Sequence, residues 1–250
     1  MDVRLLGTGG WMPTDRRETA CVALRDGSDL LLLDAGTGLR RLATEPALLE
    51  GIERLHVVLT HFHLDHTYGL MTMPALRRLA AREVWAPGRV VAGVSGEELV
   101  HRLLDPPFLA GKPDDVTGVF VTAVHELDGT AEVGPFRVET RVQPLHNGPT
   151  LALRVNGELA YCTDTAYDEE NAAFARGARV LLHEAFHVAD KTEDGQHSAA
   201  GEAGRIAGAA GVERLILVHV SPLGVDEEAL AAFARARFEA SEVGRDGAVV

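Results

Sequence analysis

Two cysteines in 250 residues, Cys21 and Cys162, leave no material for a disulfide framework. They fall on separate predicted strands, and a reduced pair of small core residues is the simplest reading. Aromatic residues are only 5% of the chain, so aliphatics and alanine supply most of its 46% hydrophobic content. Basic residues are also scarce: 24 Lys and Arg stand against 37 Asp and Glu, a formal net charge of −13. That balance repels polyanions at long range unless bound cations or a local basic patch reverse it, which disfavours nucleic acid as a partner. Nowhere do about eighteen apolar residues run together, so no ordinary transmembrane helix is expected. The opening Met1-Asp2-Val3-Arg4-Leu5-Leu6 lacks the basic segment and long apolar run of a secretion signal, and the expectation is a cytoplasmic protein.

The length supports a sizeable core, and no repeat, linker or low-complexity stretch divides it, so residues 1–250 read as one domain. Apolar runs at 3–6, 21–25, 30–34 and 83–86 predict strands, the second and third joined as a hairpin. Two or three more fall within 116–142. Residues 151–155 and 159–162 make another hairpin across Asn156-Gly157, the strongest short-range turn signal in the chain. From residue 168 helices and strands alternate: helices over 168–175, 198–210 and 227–239, strands over 180–183 and 215–218. Earlier helices are expected over 39–49, 71–81 and 95–104 from apolar spacing. Residues 108–115 are turn-rich, either a passive loop or a flap beside a site. Strands first, then helix and strand in alternation, predict an α/β fold in which two mixed sheets pack face to face between outer helices, an αββα sandwich.

Chemistry concentrates in thirteen residues, Val57-Val-Leu-Thr-His61-Phe-His63-Leu-Asp65-His66-Thr-Tyr-Gly69. An apolar strand ends abruptly in ligand-type side chains. In extended backbone, residues two apart face the same way, so His61 and His63 can address one point. Asp65 and His66 fall where the chain turns into a helix and can address a second point. Neutral imidazole with carboxylate suits zinc, with manganese and iron as alternatives. The pattern recurs downstream, where His146, Asp164 and His219 each stand just beyond an apolar strand. Asp34 ends another strand, either to hold the metal loop by a hydrogen bond or to cap the next helix. The Gly9-Gly10 pair permits close backbone approach, for a pocket wall or a plain turn.

Thr60-His61-Phe62-His63-Leu64-Asp65-His66 resembles the H-x-H-x-D-H signature of the metallo-β-lactamase fold superfamily. The resemblance implies the αββα fold and a pair of divalent ions. It assigns His61, His63 and His146 to one ion, Asp65, His66 and His219 to the other, and Asp164 to both. Two ions at about 3.5–4 Å can hold a hydroxide at neutral pH and stabilise the attacking and leaving oxygens of a displacement. Leu6-Gly-Thr-Gly-Gly-Trp-Met-Pro13, His183-Glu184-Ala185-Phe186 and His197-Ser198-Ala199-Ala200 are similar to the ribonuclease Z branch. That similarity implies catalytic roles for Asp65, for His197 at the scissile phosphate and for Glu184 behind His197; alternatively, Ser198 caps the next helix and His197 is only its neighbour. His56, His101, His125 and His187 carry no motif, and His183 is expected to face the core.

The departures from that branch point to small substrates. Only a hairpin separates His146 from Asp164, where members that cut tRNA precursors carry a long arm, and Ala199 replaces the usual threonine. The expectation is a phosphodiesterase acting on small or cyclic phosphodiesters, similar to the arm-less cyclic phosphodiesterases of the branch. The alternatives are a hydrolase of lactones, thioesters or aryl sulfates, and a tRNA 3′-processing endonuclease. A β-lactamase is disfavoured by the expected location. Apolar residues around 70–79 suit a homodimer face or the core equally well.

Overall fold

The computed structural model of the chain describes residues 2–107, 109 and 116–250; the expected flap at 108–115 thus falls, Leu109 apart, outside the described residues. The first half contributes strands β1 (Asp2–Gly7), β2 (Cys21–Asp26), β3 (Asp29–Leu33), β4 (Arg54–Val58), β5 (Ala81–Ala86) and β6 (Ala123–Glu126). They form one sheet in sequence order, antiparallel from β1 to β3 and parallel from β3 to β6. The second half contributes β7 (Ala131–Val133), β8 (Phe136–Gln143), β9 (Thr150–Val155), β10 (Leu159–Cys162), β11 (Val180–Glu184), β12 (Arg214–Val218) and β13 (Ser241–Val243). Their sheet is also in sequence order, antiparallel from β7 to β10 and parallel thereafter. Both sheets are mixed, as expected.

Strand alternation builds three apolar layers. Leu31, Leu33, Val58, Phe136, Leu153, Tyr161, Leu182 and Ile216 pack between the sheets. Leu30, Leu32, Leu55 and Val57 face the helices of the first half, while Leu181, Leu215 and Leu217 face an alanine-rich layer of the second. Covering both faces buries every residue of β3, which is why its sequence is continuously apolar rather than alternating. Cys21 and Cys162 are free and buried in opposite outer layers, so the expectation of a reduced pair holds.

The helices depart more from expectation. The run at 39–49 is broken into a 3-10 turn at Thr37–Leu39, α1 (Arg40–Thr44) and a second 3-10 turn at Pro46–Leu49. Pro46 restricts Glu45, which leaves helical geometry at φ −120°, ψ 81°. No α-helix forms over 71–81. A single turn, α2 (Leu64–Thr67), passes into a 3-10 run at Tyr68–Leu76 that contains Pro74, whose ring nitrogen cannot donate to a helical ladder. Leu70, Met73, Leu76 and Leu79 are core residues, so core packing accounts for the apolar pattern there. The next two helices are α3 (Gly88–Ala92), which was not expected, and α4 (Gly96–Leu104), capped by Ser95 as its sequence suggests. The second half adds α5 (Glu170–Ala175), α6 (Ala200–Ala210) and α7 (Glu227–Arg235). Ser198 does not cap α6; its hydroxyl donates to Thr165 O at 2.7 Å, and the cap residue is Ala199, whose N–H donates to the Glu202 carboxylate at 2.9 Å. Because β4, β8, β10, β11 and β12 all run toward one rim, the residues that follow them meet there.

Candidate metal centre

β4 is fully paired on both sides, which fixes its exit and hence the direction of the next residues. His61 and His63 stay extended, with ring centroids 4.5 Å apart, before α2 begins and carries Asp65 and His66. Second-half residues arrive from the facing sheet. His61, His63, His146 and Asp164 bring ligand atoms within 4.8 Å of one another, and so do Asp65, His66, Asp164 and His219. All seven side chains singled out in the sequence therefore gather, and Asp164 belongs to both groups.

Asp164 faces both ways. Its Oδ1 lies 3.9 Å from His61 Nε2 and 3.6 Å from His146 Nε2, while Oδ2 lies 2.9 Å from His66 Nε2 and 3.3 Å from His219 Nε2. Asp65 Oδ2 is 3.2 Å from His219 Nε2. Asp34, Asp164 and His219 all adopt left-handed backbone just past their strands, at φ 61°, 51° and 51°. That conformation is uncommon outside glycine and turns each chain sharply at the rim.

The residues fit divalent cations by their unused atoms. His61 Nε2 and His66 Nε2 are buried without a hydrogen-bond partner, beside a carboxylate. The opposite ring nitrogens are held: His61 Nδ1 by Thr60 Oγ1 at 3.0 Å, His66 Nδ1 by Asp34 Oδ2 at 2.8 Å, and His146 Nδ1 by Gln196 O at 2.9 Å. Anchoring one nitrogen fixes the ring and leaves Nε2 as the donor. Asp34 thus holds the metal loop, the first of its two sequence readings. The Thr60 N–H and the Tyr161 hydroxyl also donate to it, at 2.8 Å and 3.0 Å.

Electrostatics follow from this packing. Burial pushes His61 well below its ordinary range, with His66 acting the same way, and burial also lowers His63 and His146. For His66 burial is outweighed by Asp164, Asp34 and Asp65, which raise it. Burial opposes ionisation of Asp65 and Asp164, yet the neighbouring His66 and His219 hold both below the usual carboxylate range.

Glu184, His197 and His219 converge as a third group within 4.8 Å. His197 Nδ1 lies 3.0 Å from Glu184 Oε2, and the Thr165 N–H donates to Oε1. Glu184 is fully buried, and burial pushes it above the ordinary range against the opposing pull of His219. The His197 ring lies nearly parallel to Phe186 at 4.5 Å and to His219 at 5.4 Å. Trp11 N–H donates to Asp65 Oδ2 at 2.7 Å.

Sequence reading missed the roles of Thr60, Tyr161, Gln196 and Phe186; Thr60 and Phe186 lie within quoted motifs without a role of their own there, and all four matter through tertiary placement. The Gly9-Gly10 signal was visible, and close approach is its meaning. A Cβ on Gly10 would fall 2.4 Å from His219 Cε1. The remaining histidines stay out of the site. His56 is buried between Asp29 and Glu83, at 3.0 Å from each, and His183 is buried as expected, with Nδ1 donating to Glu184 O at 2.8 Å.

The family described as the beta-lactamase superfamily domain matches residues 30–220. The chain belongs to that superfamily. A ribonuclease Z of Methanopyrus kandleri is 30% identical over 281 aligned positions, covering 99% of this chain and 96% of the relative. Among solved structures, YhfI of Bacillus subtilis, a metallo-β-lactamase fold protein, superposes with a TM-score of 0.79 at 23% identity over 100% of this chain and 98% of that one. A diphosphatase of the PhnP family gives 0.74 at 20% identity over 100% and 96%. This superfamily member is therefore a metal-dependent hydrolase of the metallo-β-lactamase fold, in the ribonuclease Z-like branch, and its fold implies divalent metal ions. No helix of the described residues is long and apolar enough to cross a membrane.

Proposed function

We propose that residues 1–250 act as one metallo-hydrolase domain that cleaves small or cyclic phosphodiesters with two divalent ions, zinc first and manganese or iron(II) as alternatives. His61, His63 and His146 hold one ion, Asp65, His66 and His219 the other, and Asp164 both. The observation that carries this reading is the two-sided reach of Asp164, one oxygen toward each histidine group. When bound, such a pair lowers the pKa of water toward neutrality and stabilises the attacking and leaving oxygens of an in-line displacement. Asp65, oriented by the Trp11 N–H, is placed to take the proton of the attacking water. In its imidazolium form His197 donates its Nδ1–H to Glu184 and has the Nε2 proton left to give to the leaving oxygen, becoming neutral as it does so. Phe186 packs nearly parallel to that ring at 4.5 Å, and the His219 ring lies 5.4 Å from it.

Small substrates are favoured by the span from His146 to Asp164, which is filled by β9, β10 and their turn at 156–158. The alignment to the Methanopyrus relative runs 281 positions against a chain of 250, so that relative carries segments absent here. A second reading, tRNA 3′ processing, is favoured by the name ribonuclease Z on that relative. It would need a grip from elsewhere, such as a second copy of the chain.

Turnover of phosphodiesters, phosphomonoesters, aryl sulfates, lactones, thioesters and precursor tRNA, measured alongside metal content by elemental analysis, separates these readings. Two ions per chain and a clear preference for small phosphodiesters are expected. Efficient, site-specific tRNA cleavage without small-ester turnover would transfer the assignment to the second reading, and one ion per fully active chain would end the binuclear one.

A further inference from the structure

An aromatic ledge stands beside the candidate metal centre, and nothing in the reaction above uses it. Trp11 and Tyr68 are 60% and 54% exposed and Leu64 is 65% exposed, in a chain with few aromatic residues. Together with Pro13, Thr19, Thr37 and Asp65 they line one cavity of about 260 Å³. The groove therefore runs up to a carboxylate of the site. Leu64 and Tyr68 are four residues apart, one helical turn on the same face, and they bracket Asp65.

Trp11 is held in place by its backbone. Gly10 N–H bonds to Val220 O at 3.0 Å, Trp11 N–H to Asp65 Oδ2 at 2.7 Å and Met12 N–H to Gly10 O at 2.8 Å. Trp11 itself sits at φ 63°, a costly conformation for a bulky side chain that persists only where the surroundings impose it. The backbone so fixed sets the indole at the edge of the reaction centre, where it lines the groove.

The lining decides what kind of group can lie there. Among the described residues it contains no lysine, arginine or histidine, and Asp65 is its one charged residue. Thr19 and Thr37 use their hydroxyl oxygens to accept from each other's backbone N–H, at 2.9 Å and 2.8 Å. A second phosphate would meet no cationic side chain among the described residues of this groove, whereas a neutral planar ring would meet aromatic and aliphatic surface. We propose that the groove is the subsite for the planar aromatic part of the substrate, a nucleobase or aryl ring stacked on Trp11 and Tyr68. This inference rests on the phosphodiesterase reading of the same site and narrows its substrate class to phosphodiesters that carry a ring.

The test uses the metal-loaded protein and two phosphate ligands that differ by a base. Adenosine 5′-monophosphate and ribose 5-phosphate are titrated calorimetrically into wild type, Trp11→Asn and Tyr68→Ala. Asparagine tolerates the left-handed backbone at position 11, and Tyr68→Ala leaves the Trp11 contact to Asp65 alone. Base stacking on aromatic side chains predicts about five- to a hundredfold tighter binding of the nucleotide. Each substitution is expected to shrink that ratio, with ribose 5-phosphate as the internal reference for any disturbance of the metal site. Equal affinities in wild type, the result also expected if a second copy of the chain covers the groove, would overturn the subsite. A ratio unchanged in both variants would overturn it too. Phosphodiester turnover without base preference removes the subsite alone; base preference without phosphodiester turnover removes the reaction assignment and keeps the ledge as a ring-binding site.

Discussion

At the scale of single residues, three of the site's imidazoles, those of His61, His66 and His146, are held from behind. His66 is the clearest case, with Asp34 on Nδ1 and Asp164 near Nε2. Its raised pKa has a definite consequence: a proton must leave His66 before Nε2 can bind a cation, so protons and metal compete. Apparent metal affinity is expected to rise with pH through the neutral range, with proton release on binding, measurable by calorimetry in buffers of different ionisation enthalpy. Absence of proton uptake or release near pH 7 would contradict the cluster as described. Tyr161→Phe removes one donor to Asp34, which in turn holds His66, and is expected to weaken metal binding by up to about tenfold in a chelator competition, the lower end of the scale for a direct partner of a ligand. In the proposed reading His197 acts on the leaving oxygen rather than as a ligand. His197→Ala is expected to keep full metal content and lose roughly a hundredfold to ten-thousandfold in phosphodiester turnover. Glu184→Gln should reproduce part of that loss, and the double variant should fall well short of additivity because the two side chains act as one unit.

At the scale of elements, the loop after β1 and strand β11 each carry a testable load. Gly10 lets the loop lie against His219, and a methyl group there would overlap its ring. Gly10→Ala is accordingly expected to keep the fold by circular dichroism while reducing bound metal toward one ion per chain; unchanged stoichiometry would remove Gly10 from the site. In β11, His183 is pushed by burial down to about 4 although its backbone hydrogen bond to Glu184 opposes this. The folded-state value lies below the unfolded one, so the unfolded chain takes up the proton first as pH falls. Stability tied to His183 is fully present above about pH 6.5 and declines between about 6.5 and 4, by up to about 3 kcal/mol. Denaturant midpoints at pH 7 and pH 5 should differ less in His183→Leu than in wild type.

At the scale of the whole molecule, charge and connectivity set the partner. A chain of net charge −13 gains little from counterion release on a polyanion, so turnover of small phosphodiesters is expected to change only weakly between low and physiological salt. A steep loss with rising salt would instead point to a phosphate-tracking grip. The two sheets each follow sequence order, so the chain completes one half of the site before starting the other. Both groups of ligand-type side chains mix residues of the two halves, because Asp164 from the second sheet stands among histidines of the first.

The sequence by itself determined the sheets, the rim and the ligand types. Apolar runs that end in histidine or aspartate mark strand exits, and His61, His63, Asp65, His66, His146, Asp164 and His219 were all legible because each occupies such an exit or the turn after it. Helices were less legible. Apolar spacing over 39–49 and 71–81 also suits 3-10 turns, and Pro46 and Pro74 decide between the two by removing a backbone donor and restricting the residue before them. The tertiary structure alone decided what stands behind the ligands. Tyr161 reaches Asp34 across the space between sheets, 127 positions apart in the chain, and Gly10 meets His219 from the opposite end of the sequence. No local period or motif encodes such pairs, since their meaning arises only when two separately built sheets are pressed face to face.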